Sequence, residues 1–498
     1  MRRVIVMLSV VVFVVGACSS SKKRTRAPET TTTVAAPAGT PTVKVAAAVA
    51  QTVNGFGASG AWWPIDLAKF PDDVQKHVAQ LLFDNNDGIA LSGYRYNIGG
   101  GGKGVTKKSR APNQVPADTA GRSFLRAAAA AGVPLLTGFV NSAPPEFTTN
   151  GQTCGGALKP GQKQAFANYL LRMVGFLHDS EHIDLTYVSP MNEPDDSFAG
   201  CGQEGMQVPV GQRSAFINAL AAGLKRDAPY AKVIADETTA DSILANEAPQ
   251  WLGDSAQNLA AIAHHTYDFP NDALRKLVPP LAQRFDKPTW MTETCCYKGS
   301  GGVASSFGAQ YDPTMTQGFW LADQIESDFT VAGDSAWYWW TALSSVLGCN
   351  PKDDDTCATT KNTKGFNDGL LYYDEHGTSS GVTTIFTTKR FFVLGQFSRY
   401  VRPGAQRHNV TGSPNPTMVF ENDDHWSVVT WNESTRDSSF VISLPDSSAT
   451  TAVQTNNRDE LSPRAPAVRT STGWLMNVPA GTIATYVFAK SAQSGAAP

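Results

Sequence analysis

Eight short, nearly unbroken apolar runs recur between residues 53 and 340: Val53–Ala58, Ile89–Ile98, Pro134–Val140, Leu185–Met191, Lys232–Ala235, Ala261–Tyr267, Pro288–Thr292 and Ser335–Trp340. Continuous apolarity over a short run is the mark of a parallel strand buried on both faces. Between the runs, apolar positions fall at helical spacing in Val74–Phe83, Gly121–Ala131, Lys163–Leu177, Arg213–Arg226 and Thr316–Phe329. Strand and helix alternating eight times predict an α/β fold, a (β/α)8 TIM barrel over residues 51–400. The rival is an open doubly wound sheet. No GxGxxG follows the first run, and the glycines Gly99–Gly102 follow the second with the wrong spacing.

Beyond Tyr400 the pattern changes. Thr417–Glu421, His425–Trp431, Ser439–Leu444, Ala452–Thr455, Ala467–Thr470, Trp474–Val478 and Ile483–Ala489 are short alternating runs broken by Pro, Gly, Asn and Asp. They predict a C-terminal antiparallel β-sandwich side domain over 401–490, which residues 43–50 join as an N-terminal strand.

The N-terminus reads as a targeting segment. Arg2 and Arg3 precede the apolar stretch Val4–Val15, which is too short to span a bilayer. Val15-Gly16-Ala17-Cys18 is similar to a bacterial lipobox. The expectation is a lipoprotein signal peptide over 1–17, lipidation at Cys18 and a disordered tether over 18–42, rich in Thr, Pro, Ala and Ser. The protein would then sit outside the cytoplasm, on the cell surface, touching the membrane only through that anchor.

Of 498 residues, 42% are hydrophobic, enough for a large core and more than one domain. The net charge of −3 points to no nucleic-acid partner. Seven cysteines suit an oxidising compartment. Six remain without Cys18, and the sequence alone does not choose among their pairings. A bridge between adjacent Cys295 and Cys296 is disfavoured, because a trans peptide sets their Cα atoms closer than disulfides prefer. No CxxC or HExxH spacing suggests a metal, and no cofactor is implied.

The chemistry lies at two run ends, one hundred residues apart: Asn192-Glu193-Pro194 after the fourth run and Thr292-Glu293-Thr294 after the seventh. Barrel active sites sit at such C-terminal strand tips. Two carboxyl groups there are the minimum equipment for cleaving a glycosidic bond, about 5–5.5 Å apart if configuration is retained. Asp236, Glu237 and Asp268 compete with Glu293 on composition, and Glu237 otherwise reads as a substrate contact or a structural residue. In the sixth run His264 and His265 point to opposite faces, so one turns to the cleft and one packs outward. Tyr267 shares the face of His265 and could donate to the nucleophile carboxylate. Arg95 could bring a positive charge to Glu293. Trp62, Trp63, Trp337, Trp339 and Trp340 could floor a sugar site, with at least two of the five filling the core instead.

Six motifs together resemble glycoside hydrolase family 30, in clan A: Gly55-Phe56-Gly57-Ala58-Ser59-Gly60, Tyr94-Arg95-Tyr96-Asn97-Ile98-Gly99-Gly100, Asn141-Ser142-Ala143-Pro144-Pro145, Ser189-Pro190-Met191-Asn192-Glu193-Pro194, His265-Thr266-Tyr267 and Trp290-Met291-Thr292-Glu293. The resemblance implies a retaining enzyme with Glu193 as acid/base and Glu293 as nucleophile. It implies that Arg95, Asn192, His265, Tyr267 and Trp340 line the subsite of the attacked sugar; Trp62 and Asn141 are further candidate substrate contacts. Glucosylceramidases, β-1,6-glucanases, xylanases and endo-β-1,6-galactanases belong to the family. Asn141–Pro145 followed by Thr149-Asn150-Gly151 and Cys154, with Gln203-Glu204-Gly205 after Glu193, looks most like the galactanase branch. Pro145-Glu146-Phe147 departs from it, as does the pair Cys295-Cys296. The loops after the third and fourth runs hold Cys154 and Cys201, so these are expected to form one disulfide, and Cys349–Cys357, bracketing the acidic Asp353–Asp355, another. The resulting expectation is a monomer cleaving a poly- or oligosaccharide, best β-1,6-galactan. Other family activities, galactofuranan hydrolysis among the wider options, and a surface glycan-binding lipoprotein without turnover are the alternatives.

Overall fold

The structure, a computed structural model, describes residues 33–299 and 306–490. The signal segment and Cys18 lie outside the described residues. Eight parallel strands close into a barrel: β1 Gly55–Ser59, β2 Gly93–Asn97, β3 Leu135–Phe139, β4 Tyr187–Ser189, β5 Lys232–Thr238, β6 Leu259–His265, β7 Thr289–Glu293 and β8 Ala336–Trp339. Each coincides with one of the eight apolar runs. The second run overreaches, however, because Ile89 and Leu91 turn back to bond the end of the helix Asp72–Phe83 at Leu81 and Leu82. The fifth run falls short, because β5 continues through the buried polar residues Asp236 and Glu237.

Large side chains fill the barrel. Tyr187 meets Trp290 edge-on at 4.8 Å, and Tyr338 fills space that a Cβ at Gly57 or Gly93 would occupy, which explains both glycines. Helices Thr119–Ala130, Lys163–Glu181, Val210–Asp227, Asp241–Ser255 and Met315–Ser327 cover the outside. Asp118 starts the first of these by accepting from Gly121 N at 2.9 Å. Beyond β8 a small sheet of Thr341–Ser344, Gly369–Tyr372 and Phe386–Thr387 appears that the apolar pattern did not reveal.

The strand Thr42–Thr52 and the strands from Gln406 onward form a sandwich. The N-terminal strand Thr42–Thr52 runs antiparallel to Gln406–Thr411 and, at its start, parallel to Ser438–Ile442, so the sheet is not wholly antiparallel as expected. One face encloses Phe440, Trp474, Met476 and Phe488. The other joins the barrel's core through Met418, Phe420, Trp431 and Ile483. The expected tether also needs shortening. Val34 N bonds Arg469 O at 2.9 Å, and Thr42 already lies in the first strand. Among the described residues no helix is long and apolar enough to cross a membrane.

Candidate active site

At the C-terminal tips of the strands, two irregularities aim the polar residues. The β6–β7 ladder shifts register between Met291 and Glu293, and the β5–β6 ladder shifts between Asp236 and Thr238. Such bulges re-aim side chains beside functional sites. Glu237 takes φ +65° and Glu193 φ +46°, left-handed conformations that most residues avoid. Glu193 N is fixed there by Glu237 O at 2.8 Å.

The result is a closed polar network. One oxygen of Glu193, one of Glu293 and one nitrogen of His265 lie within 4.8 Å of one another. Arg95 Nη1 reaches Glu293 Oε2 at 2.6 Å, and its Nη2 reaches Asn192 Oδ1 at 3.1 Å and Glu237 Oε2 at 3.3 Å. Tyr267 donates its hydroxyl to Glu293 Oε1 at 2.8 Å. His265 holds Glu193 Oε1 through Nδ1 at 3.2 Å and Glu237 Oε2 through Nε2 at 3.0 Å. Phe139 lies under the Arg95 guanidinium at 4.1 Å.

These contacts push the groups apart in charge. Burial raises the Glu193 carboxyl to about 7, against a downward pull from His265. Burial would raise Glu237 as well, but Arg95, His265 and Thr292 outweigh it and hold Glu237 down at about 2. Burial opposes the charge on His265, yet Glu293, Glu193 and Glu237 lift it to about 9. A protonated imidazole is a poor metal ligand, so the Glu193–His265–Glu293 cluster favours proton chemistry.

The competing carboxylates separate by surroundings. Glu237 is 0% exposed, against 7% for Glu193 and 3% for Glu293. It sits as a buried counter-charge to Arg95 and His265, the structural one of the two readings open to it. Asp236 points outward to Arg213 Nη1 at 2.7 Å, and Asp268 binds the Ser242 hydroxyl at 3.0 Å. His264 also turns outward, between Asp241 and Asp334 at 2.9 Å each.

Of the five tryptophans, Trp63, Trp337 and Trp339 are core. Trp62 and Trp340 meet edge-on at 5.4 Å and, with Phe139, wall one flank of the site. Asn141 donates to Asn97 Oδ1 at 3.4 Å. Asn141 Oδ1 and Trp62 Nε1 are buried without a protein partner. The glycine run has a role too: Gly100 N and Gly102 N donate to the buried Glu204 at 3.0 and 2.7 Å. Cys154 bonds Cys201 across the same loops, and Cys349 bonds Cys357 around exposed Asp353–Asp355.

The structure also joins Cys295 to Cys296, against expectation. Their Cα atoms are 3.8 Å apart, and Cys296 turns to φ +62°. Thr292, which donates to Glu237 and to His264 O, was not legible as a site residue, since an alternating polar residue on a strand carries no sign of its partner.

A model of O-glycosyl hydrolase family 30 matches residues 42–348, more than half of the chain. The chain belongs to that family. Solved structures share the fold of this family-30 hydrolase. The catalytic domain of xylanase C from Talaromyces cellulolyticus is 22% identical with a TM-score of 0.69, over 90% of this chain and 99% of that one. A conserved exported protein from Bacteroides fragilis is 20% identical with a TM-score of 0.75, over 90% and 100%. An endo-β1,6-glucanase is 17% identical with a TM-score of 0.65, over 90% and 94%.

Proposed function

We propose that this family-30 hydrolase cleaves a β-linked glycan with retention, by double displacement, and that its substrate is β-1,6-galactan. The observation that carries the reading is the pair Glu193 and Glu293, with one oxygen of each within 4.8 Å of the other. That closeness is in keeping with the separation of about 5–5.5 Å that direct attack uses rather than the roughly 6.5–9.5 Å of a pair that admits a water. Glu293, between Arg95 and Tyr267, attacks the anomeric carbon. Glu193, protonated near neutral pH, gives its proton to the departing oxygen. Glu193 then takes a proton from the water that hydrolyses the glycosyl ester.

The galactan reading rests on the loops carrying Asn141, Asn150, Cys154 and Glu204. Asn150 Nδ2 bonds Cys154 O at 2.8 Å, and Cys154 is tied to Cys201. The unpartnered Asn141 Oδ1 and Trp62 Nε1 suit a polar ligand such as a hydroxylated ring. The sequence further supports a surface lipoprotein anchored at Cys18, which palmitate labelling lost in Cys18→Ala would test.

Purified protein lacking residues 1–18 should release reducing sugar from β-1,6-galactan faster than from β-1,6-glucan, xylan, galactofuranan or glucosylceramide. A mechanism-based fluorosugar of the cleaved glycan should label the peptide holding Glu293. Label on Glu237 would reassign the nucleophile, and preference for another glycan would remove the galactan reading.

A further inference from the structure

Phe307 is the single exposed aromatic side chain among the described residues, at 58%. A lone exposed ring is unremarkable on most surfaces, but this one stands beside the site. Its ring meets Tyr267 edge-on at 6.0 Å, and Tyr267 holds Glu293 Oε1 at 2.8 Å. One ring therefore separates Phe307 from the nucleophile.

A short ribbon carries it. Phe307 pairs with Tyr297 in a two-stranded ribbon. Tyr297 stacks on Trp320 at 4.6 Å with the planes 4° apart. The next residue, Gly308, donates to Cys296 O at 3.3 Å, and Cys296 is bonded to Cys295, so the ribbon grows from the covalent ring that follows Glu293. Phe366 also lies beside Phe307, at 6.2 Å. Trp62 and Trp340 wall the site on the β8–β1 flank, whereas Phe307 stands toward β6.

We propose that Phe307 is the stacking platform of a leaving-group subsite, where the apolar C–H face of the hexopyranose departing from the cleaved bond packs on its ring. The proposal rests on the reading of Glu293 as nucleophile. Phe307 binds and takes no part in proton transfer.

Two substrates with the same two glycone rings test it: β-1,6-galactotetraose, whose leaving group is a sugar, and β-1,6-galactobiosyl fluoride, whose leaving group is not. Phe307→Ala should raise KM for the tetraose roughly tenfold, the scale of one lost aromatic contact, and leave kcat/KM for the fluoride within about twofold. Phe307→Tyr, which keeps the ring, should restore the tetraose KM. Equal losses on both substrates would reduce Phe307 to a support of Tyr267 and overturn the proposal, as would no loss on either. An error in the galactan reading shows separately, as wild-type protein that cleaves neither compound.

Discussion

His265 Nε2 lies 3.0 Å from Glu237 Oε2, and through that contact a carboxylate with no exposed surface joins Glu293 and Glu193 in holding the proton on the imidazole that touches Glu193. Both residues are buried, so the ionic state of one depends on the other. Glu237 stays ionised, His265 keeps its proton, and Glu193 receives a donor that tempers the effect of its own burial.

The first consequence is a pH profile. Glu193 must be protonated to act as acid and is raised to about 7, so kcat/KM should fall along an alkaline limb near that pH. His265 pulls the Glu193 carboxyl downward. His265→Asn removes the pull, so the limb should move to higher pH even as turnover drops. A limb that stays in place or moves toward acid would show that another group governs it.

Glu237→Gln should separate stability from chemistry. Its carboxyl is held down at about 2, below the ordinary 4.5, so it contributes stability that is present above pH 4.5 and is lost as the pH falls toward 2. The variant leaves Arg95 and His265 short of a buried counter-charge, at about 3–5 kcal/mol. Thermal melts at neutral pH should register that loss, while measurable turnover and fluorosugar labelling at Glu293 persist. Complete loss of labelling in a folded variant would give Glu237 a direct part in catalysis.

Glu193→Gln should cut turnover of the natural glycan by about 10²–10⁴-fold, the usual worth of a positioned proton donor. The glycosyl fluoride, whose departing fluoride needs little protonation, should lose far less in its first, glycosylation step. Stopped-flow release of fluoride under single-turnover conditions measures that step alone. Equal losses on the two substrates would deny Glu193 the role of acid.

Barrel and sandwich should melt together. Trp431 of the sandwich packs on Phe397 at 6.2 Å and donates Nε1 to Asp323 on the helix Met315–Ser327 at 2.9 Å. Trp431→Ala should therefore cost about 3–5 kcal/mol and lower a single calorimetric transition. Two separate transitions would mean that the shared core carries no coupling.

The barrel was legible because strands buried on both faces must be continuously apolar, and Phe56, Leu136, Val188 and Met291 wrote that rule plainly. The carboxylates Glu193 and Glu293 were legible because a polar residue ending such a run has few places to go. Glu237 was harder. It ends a run in the same way, and only the register shift beside it, with the cations of Arg95 and His265, separates a counter-ion from a nucleophile. The strand Gln406–Thr411, which lies between Thr42–Thr52 and Thr417–Glu421 in the sheet, escaped notice because its residues are nearly all polar. The Cys295–Cys296 bond escaped because preferred geometry argued against it, and the left-handed turn at Cys296 is a property of the fold. Phe307 carried no pattern at all, since a ribbon of two residues per strand is too short for one.

The most direct test of the central claim is the configuration of the first product. Proton NMR recorded during hydrolysis of a β-linked oligosaccharide should show the β-anomer of the new reducing end first, with the α-anomer growing in only by mutarotation. Initial appearance of the α-anomer would mean single displacement by water, and would contradict covalent capture of the sugar by Glu293 beside Glu193.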